Sequence, residues 1–181
     1  MPDYRRTIIP GTCYFFTLVT HQRKPLFNNF DHRLLLRQAM EEVMQKYPFS
    51  INALVLLPDH LHCVITLPET DMNYSKRWSM IKRKFSQAVA INNETACDDS
   101  RIKRRELSLW QRRFWEHAIR NERDYTNHIH YCYWNPVKHN HVQRVADWPY
   151  STFHRDVKAG LFPLDWAGDN VTIFEAVRYG E

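Results

Sequence analysis

The chain has 181 residues, 44% of them hydrophobic, and a formal charge of +5. That composition excludes a disordered polymer, and the length allows one domain with a sizeable core rather than two. No run approaches the roughly 20 apolar residues of a membrane helix, so no membrane partner is expected, while the modest basic excess permits a polyanionic one.

In chain order, residues 13–20 are β-branched and aromatic and follow Pro10-Gly11, which predicts a first strand. Residues 31–47 predict a helix. Leu35, Ala39, Val43 and Tyr47 recur at helical spacing, Asp31 stands at the expected N-cap and Pro48 ends the run. Residues 51–57 and 60–67 predict second and third strands around a tight turn at Pro58-Asp59. Residues 74–91 predict a basic amphipathic helix with Trp78, Ile81, Phe85 and Val89 on one stripe. The polar stretch 92–105, acidic and then basic, reads as an exposed loop or insertion. Residues 114–119 predict a fourth strand and residues 122–135 a further helix.

The first six elements run β-α-β-β-α-β. That order predicts an α+β, ferredoxin-like or RRM-like fold: a four-stranded antiparallel sheet with two helices on one face. Residues 1–141 form the expected domain. Residues 142–181 form a tail whose Trp148, Tyr150, Phe153, Phe162 and Trp166 make it too apolar to stay free, so it is expected to dock on the same domain.

Two segments carry chemistry. His60-Leu61-His62 opens the third strand, where residues two apart point to one face, so both imidazoles converge. Such a pair fits a divalent metal, and alone it fits two surface histidines as well. On the helix over 122–135, Tyr131 and Asn135 are four apart and share a face. Tyr133 lies roughly 200° from Asn135 around the axis. If one tyrosine shares a site with Asn135, it is Tyr131; the bland alternative is a packing tyrosine. The Asn135 carbonyl can ligate a hard cation, although Pro136 is expected to leave Asn135 at a frayed helix end.

A phenol with a pKa of about 10 is a poor nucleophile until it loses its proton or its target phosphate is polarised. A metal held by neutral His and Asn keeps its full charge for phosphate oxygens. A phosphotyrosine would conserve the phosphodiester for a later 3′-OH attack without ATP. The four glycines, none in GxxxxGK or GxGxxG, agree in predicting no nucleotide cofactor. Aromatic residues make up 14% of the chain and several adjoin cations: Lys76-Arg77-Trp78, Lys82-Arg83-Lys84-Phe85 and Arg112-Arg113-Phe114-Trp115. Interleaved rings and cations suit single-stranded nucleic acid, and equally suit a core beside a solvated basic face.

With these residues in view, the sequence resembles the HUH endonucleases, and within them the REP-associated tyrosine transposases, relatives of single-tyrosine insertion-sequence transposases. The resemblance rests on Leu57-Pro58-Asp59-His60-Leu61-His62, on residues 114–120 (FWEHAIR), on Asn135-Pro136-Val137-Lys138-His139, on residues 147–155 (DWPYSTFHR), and on Tyr4-Arg5-Arg6 and residues 163–168 (PLDWAG). It implies that His60, His62 and Asn135 hold Mg2+ or Mn2+ and that Tyr131 is the nucleophile, acting through a 5′-phosphotyrosine. It also implies a single-stranded DNA substrate bearing a palindromic repeat folded into a hairpin. Arg5, Arg6, Arg77, Lys82, Arg83, Lys84, Arg120 and Lys138 are the expected DNA contacts. The stretch from about Asn92 to Ser108 looks longer than the family's usual link.

The favoured function is a DNA-cleaving and DNA-joining transposase. The alternatives are an HUH nickase for replication or mobilisation, which shares the chemistry, and a non-catalytic hairpin-binding module; a zinc hydrolase would want more ligands than His60-Leu61-His62 supplies. Scattered cysteines without a CxxC pair and the lack of a signal-peptide pattern predict a cytoplasmic protein, nucleoid-associated when on DNA. A monomer acting with its own Tyr131 is expected, with a dimer as the alternative.

Overall fold

The computed structural model describes residues 12–92 and 109–166. Four strands, β1 (Cys13–Val19), β2 (Ser50–Leu56), β3 (His60–Thr66) and β4 (Trp115–Ala118), form one antiparallel sheet in the order β2-β3-β1-β4. Helices α1 (Phe30–Lys46) and α2 (Tyr74–Asn92) cover one face, and α3 (Glu122–Lys138) covers the other. This is the expected ferredoxin-like order, with the tyrosine helix beneath the sheet. No helix among the described residues is long and apolar enough to cross a membrane.

Strand alternation sorts the residues between two cores. Tyr14, Phe16 and Leu18 of β1, with Leu61, Cys63 and Ile65 of β3, meet α1 and α2. The stripe foreseen on α2 is buried there: Trp78, Ile81, Phe85 and Val89. Phe15, Ala53, Val55 and Val64 point the other way and pack on Ile129, Tyr131, Cys132 and Tyr133 of α3.

Two local expectations change. Asn29, not Asp31, caps α1: its side chain accepts from the amides of Asp31 and His32, and Asp31 sits in the first turn, where its charge favours the helix N-terminus. The proline at 136 does not fray α3 at Asn135; the helix runs on to Lys138, and the His139 amide donates to the Asn135 carbonyl at 3.0 Å. Proline forfeits one ladder bond, and the burial of Tyr131, Cys132, Tyr133, Asn135 and Pro136 along this stretch offsets it. Asn140, with φ 55°, then turns the chain in the left-handed conformation that asparagine tolerates.

After α3 the chain runs along β2, an edge strand. Ser151 bridges Val55, the Leu56 amide donates to the Tyr150 carbonyl at 2.9 Å, and Arg155 donates to the carbonyls of Ile51 and Asn52. A short helix, α4 (Phe153–Lys158), follows. Phe153, Phe162 and Trp166 pack together, and Phe162 also meets Tyr133. Arg5, Arg6, the link expected to be long beyond Asn92 and the last residues of the tail lie outside the described residues.

Candidate active site

His60-Leu61-His62 sends Leu61 into the helical core and both imidazoles toward α3, with ring centroids 4.9 Å apart. Each ring is oriented through Nδ1. Thr17 lies opposite His62 in the β1–β3 register, and its Oγ1 is 2.8 Å from His62 Nδ1. Asp59, in the turn before β3, places Oδ1 2.6 Å from His60 Nδ1. Burial works to raise the Asp59 carboxyl, but the hydrogen bond and charge of His60, followed by those of Arg23, bring it down to about 2. The resulting carboxylate holds the His60 proton at Nδ1. Nε2 of His60 is left buried, with no hydrogen-bond partner among the described residues.

α3 supplies the opposing wall. Tyr131 is fully buried, its ring 5.1 Å from that of His62 and 5.8 Å from that of Phe15. Nζ of Lys138, two turns on, lies 3.2 Å from the Tyr131 hydroxyl oxygen. Asn135 is fully buried one turn from Tyr131. Four residues further, the ring of His139 is 5.4 Å from that of His60. The other two tyrosines of α3 are elsewhere. Tyr133 turns to the C-terminal segment, where its hydroxyl meets Asp156 and Thr152, and burial together with the Asp156 carboxylate raises its pKa. Tyr125 is half-buried in the α3-side core, where burial raises it too.

The structure therefore brings His60, His62, Tyr131 and Asn135 together within one chain. Sequence reasoning missed Asp59, Thr17 and His139. The helical series 131, 135, 139 was available to find the last of these.

The proposed DNA contacts fare unevenly. Arg77 is 2% exposed and donates to the carbonyls of Tyr47, Asn73 and Pro48 and to the Asp71 carboxylate. It cannot reach a phosphate; it is a strut between α2 and the end of α1, and this corrects its assignment. Lys82 donates to the Gln111 carbonyl and lies over the rings of Trp110 and Phe114. Arg83 is exposed, and Lys84 pairs with Glu42 across the helical layer, on the sheet face opposite Tyr131. Arg120 is exposed between β4 and α3.

The donor set fits a divalent cation. His60 Nε2, His62 Nε2 and Asn135 Oδ1 are all buried neutral donors of the kind that hold such an ion without cancelling its charge.

Residues 10–131 match the family described as Transposase IS200 like. The REP-associated tyrosine transposase of Escherichia coli K12 is 47% identical over 97% of this chain and 96% of its own length. The chain belongs to this transposase family. A Haemophilus influenzae relative, assigned provisionally to the same group by its name, is 44% identical over 93% of this chain and 95% of its own length. A solved structure of a REP-associated tyrosine transposase bound to a REP hairpin superposes with a TM-score of 0.84 at 44% identity, covering 100% of this chain and 98% of that one. The chain is thus a tyrosine transposase by family, and its four-stranded α+β sheet is the family's fold.

Proposed function

We propose that this transposase cleaves and rejoins single-stranded DNA beside a palindromic-repeat hairpin, with Tyr131 as nucleophile. The observation that carries the reading is the buried cluster in which Tyr131 meets the His60–His62 pair, the Tyr131 and His62 rings 5.1 Å apart, with Asn135 buried one turn further along the same helix. The hairpin substrate is supported by the hairpin bound in the related solved structure.

His60, His62 and Asn135 would hold Mg2+ or Mn2+, with His139 beside them. When bound, the ion supplies positive charge to the scissile phosphate and to the departing oxygen. Tyr131 attacks phosphorus; the bond from its hydroxyl oxygen forms as the phosphorus–O3′ bond breaks, leaving a 5′-phosphotyrosine and a free 3′-OH. Lys138 donates from Nζ to the Tyr131 hydroxyl oxygen at 3.2 Å and so holds the attacking oxygen in place. Attack by a second 3′-OH reverses the chemistry and joins strands without ATP.

Arg120 and Lys138, on the α3 side, are the phosphate contacts nearest the cut. Arg83 and Lys84 lie on the opposite layer, where only the hairpin arm could meet them, and Arg5 and Arg6 complete the set. Residues 1–141 act as the catalytic domain and residues 142–181 as a docked tail. The protein works as a monomer in the cytoplasm, nucleoid-associated when on DNA.

The deciding experiment incubates a labelled hairpin oligonucleotide with Mn2+ or Mg2+ and looks for cleavage and a covalent protein–DNA adduct. Tyr131→Phe should bind the hairpin yet neither cut it nor form the adduct, and chelator should silence the wild type. Cleavage by Tyr131→Phe at the wild-type rate would end the assignment.

A further inference from the structure

A second group of metal-competent side chains lies at the opposite end of α3. His117 on β4 points to the α3 face, in register with Phe15 across the β1–β4 ladder. Asp124 and His128 are one turn apart on α3 and turn toward it. His117 Nε2 is 2.8 Å from Asp124 Oδ2, and His128 Nδ1 is 3.1 Å from Asp124 Oδ1. The ligand-capable atoms of the three residues lie within 4.8 Å of one another. We propose that His117, Asp124 and His128 form a second metal site, separate from the His60–His62 pair and selective for a borderline transition metal such as Zn2+ or Co2+.

The donor chemistry sets the selectivity. Two imidazole nitrogens and one carboxylate oxygen suit zinc and cobalt, whereas all-oxygen sets suit magnesium. Ligands of a tetrahedral zinc sit about 3.3 Å apart, given bond lengths of about 2.0–2.1 Å. The two imidazole–carboxylate spacings, 2.8 Å and 3.1 Å, fall a few tenths of an ångström short of that value, a gap that side-chain rotation can open. In the ion-free triad the imidazoles share their protons with Asp124, and His128 Nδ1 also lies 2.7 Å from the Asp124 carbonyl oxygen. On metal binding each ring carries its single proton on its other nitrogen and gives the lone pair to the ion.

The surroundings favour the required charge states. Burial lowers the His128 pKa, which keeps its imidazole neutral. Burial opposes ionisation of Asp124, but the hydrogen bond from His117, that of the Arg120 amide and the neighbouring imidazoles leave its pKa below the ordinary value. The carboxylate and the His117 ring are about one-fifth exposed, so an ion has an entry path from solvent.

The site would also be mechanically coupled to the catalytic pocket. The His117 ring stacks on those of His128 and Trp115, at 4.7 Å and 5.9 Å. The Phe15 ring touches His128, at 4.8 Å, as well as His62 and Tyr131. An ion here ties the first turns of α3, the helix that carries Tyr131, to the edge strand β4.

The test removes the first site and asks whether a second remains. Full-length protein carrying His60→Ala and His62→Ala is titrated with Co2+ and followed by visible absorption. It should bind one equivalent with d–d bands of low-symmetry coordination. Adding His117→Gln or, separately, Asp124→Asn should lower that affinity at least tenfold, while circular dichroism stays native. In the His60→Ala, His62→Ala background, His117→Gln should abolish the rise in Tm produced by Zn2+; in the otherwise wild-type chain, where the Gln amide can still donate to Asp124, it should leave Mn2+-dependent cleavage in place. The proposal is overturned if the double-alanine protein binds no cobalt. It is overturned equally if bound cobalt is indifferent to both His117→Gln and Asp124→Asn, since the triad would then be a hydrogen-bonded clamp alone.

Discussion

Replacing Thr17 by valine deletes one hydroxyl and keeps a β-branched side chain suited to the strand. Thr17 is 1% exposed, and its Oγ1 is 2.8 Å from His62 Nδ1, so the change removes a buried hydrogen bond. The stability cost of losing such a bond is about 0.5–1.5 kcal/mol. For a chain of this size that lowers Tm by about 1–6 °C. The functional effect should be larger and of a distinct kind. The hydroxyl holds the His62 ring in its orientation, and loss of such an orienting partner costs about 10–100-fold in metal affinity. The assay is hairpin cleavage as a function of Mn2+ concentration. Thr17→Val should shift the half-saturating Mn2+ upward by about 10–100-fold and recover most of its rate at saturating metal, because Tyr131 is untouched. Thr17→Ser should restore the wild-type midpoint. A Thr17→Val enzyme with an unchanged Mn2+ midpoint, or with the same loss at every metal concentration, would refute the orienting role.

Three further outcomes are expected. Arg77→Ala should cost about 3 kcal/mol by leaving Asp71 and three carbonyls without their shared donor, while the salt dependence of DNA binding, which follows phosphate contacts, stays unchanged in DNA titrations at several salt concentrations. Lys82 is brought down to about 8 by burial, so its folded-state pKa lies below the unfolded value and its charge opposes folding below pH 8. The Tm advantage of Lys82→Met over wild type should therefore be largest near pH 7 and close as pH rises from 8 toward the unfolded lysine value of about 10.5; a constant difference across that window would contradict the reasoning. Mixing Tyr131→Phe with His60→Ala chains should leave cleavage absent, because Tyr131 meets His62 of the His60–His62 pair within one chain here; recovered cleavage would show that α3 is exchanged between subunits.

What the sequence revealed follows the range of the interactions involved. The α2 side of the core is legible because the Trp78-Ile81-Phe85-Val89 stripe is a short-range pattern read directly along the chain, whereas the second core, between the sheet and α3, is not. The His60–His62 pair and the Tyr131–Asn135 face were legible for the same reason. Thr17 was not, because its role depends on a register that pairs it with a residue 45 positions away. Arg77 was misread because a basic helix shows its charges and hides their acceptors, here carbonyls 29 and 30 residues earlier. The cap of α1 was misplaced because Asn29-Phe30-Asp31 offers two capping side chains, and only the backbone decides between them. Pro136 was overweighted because a local rule about the residue before proline yields to burial of the whole helix face.

On the proposed mechanism the position of α3 is the quantity on which cleavage turns, and the fold secures it at both ends. Near its start, Asn121 caps the helix through the Asp124 amide, and the Asp124 carboxylate in turn grips His117 of β4. Beyond Tyr131, the Tyr133 hydroxyl meets Asp156 and Thr152 of the segment that runs along β2. That segment is itself pinned to β2 by the Thr152 side chain, which accepts from the Leu54 amide at 2.8 Å, and by Arg155. The helix is thus suspended between the two edges of the sheet, β4 and β2, beneath the central strand β3 that carries the histidines. An error of about 1 Å in a reacting group costs on the order of a hundredfold in rate, so contacts remote from the phosphate still bear on cleavage. On the proposed mechanism, the aromatic residues after α3 that pack on Tyr133 therefore bear on cleavage through the helix they hold, even where they touch no DNA.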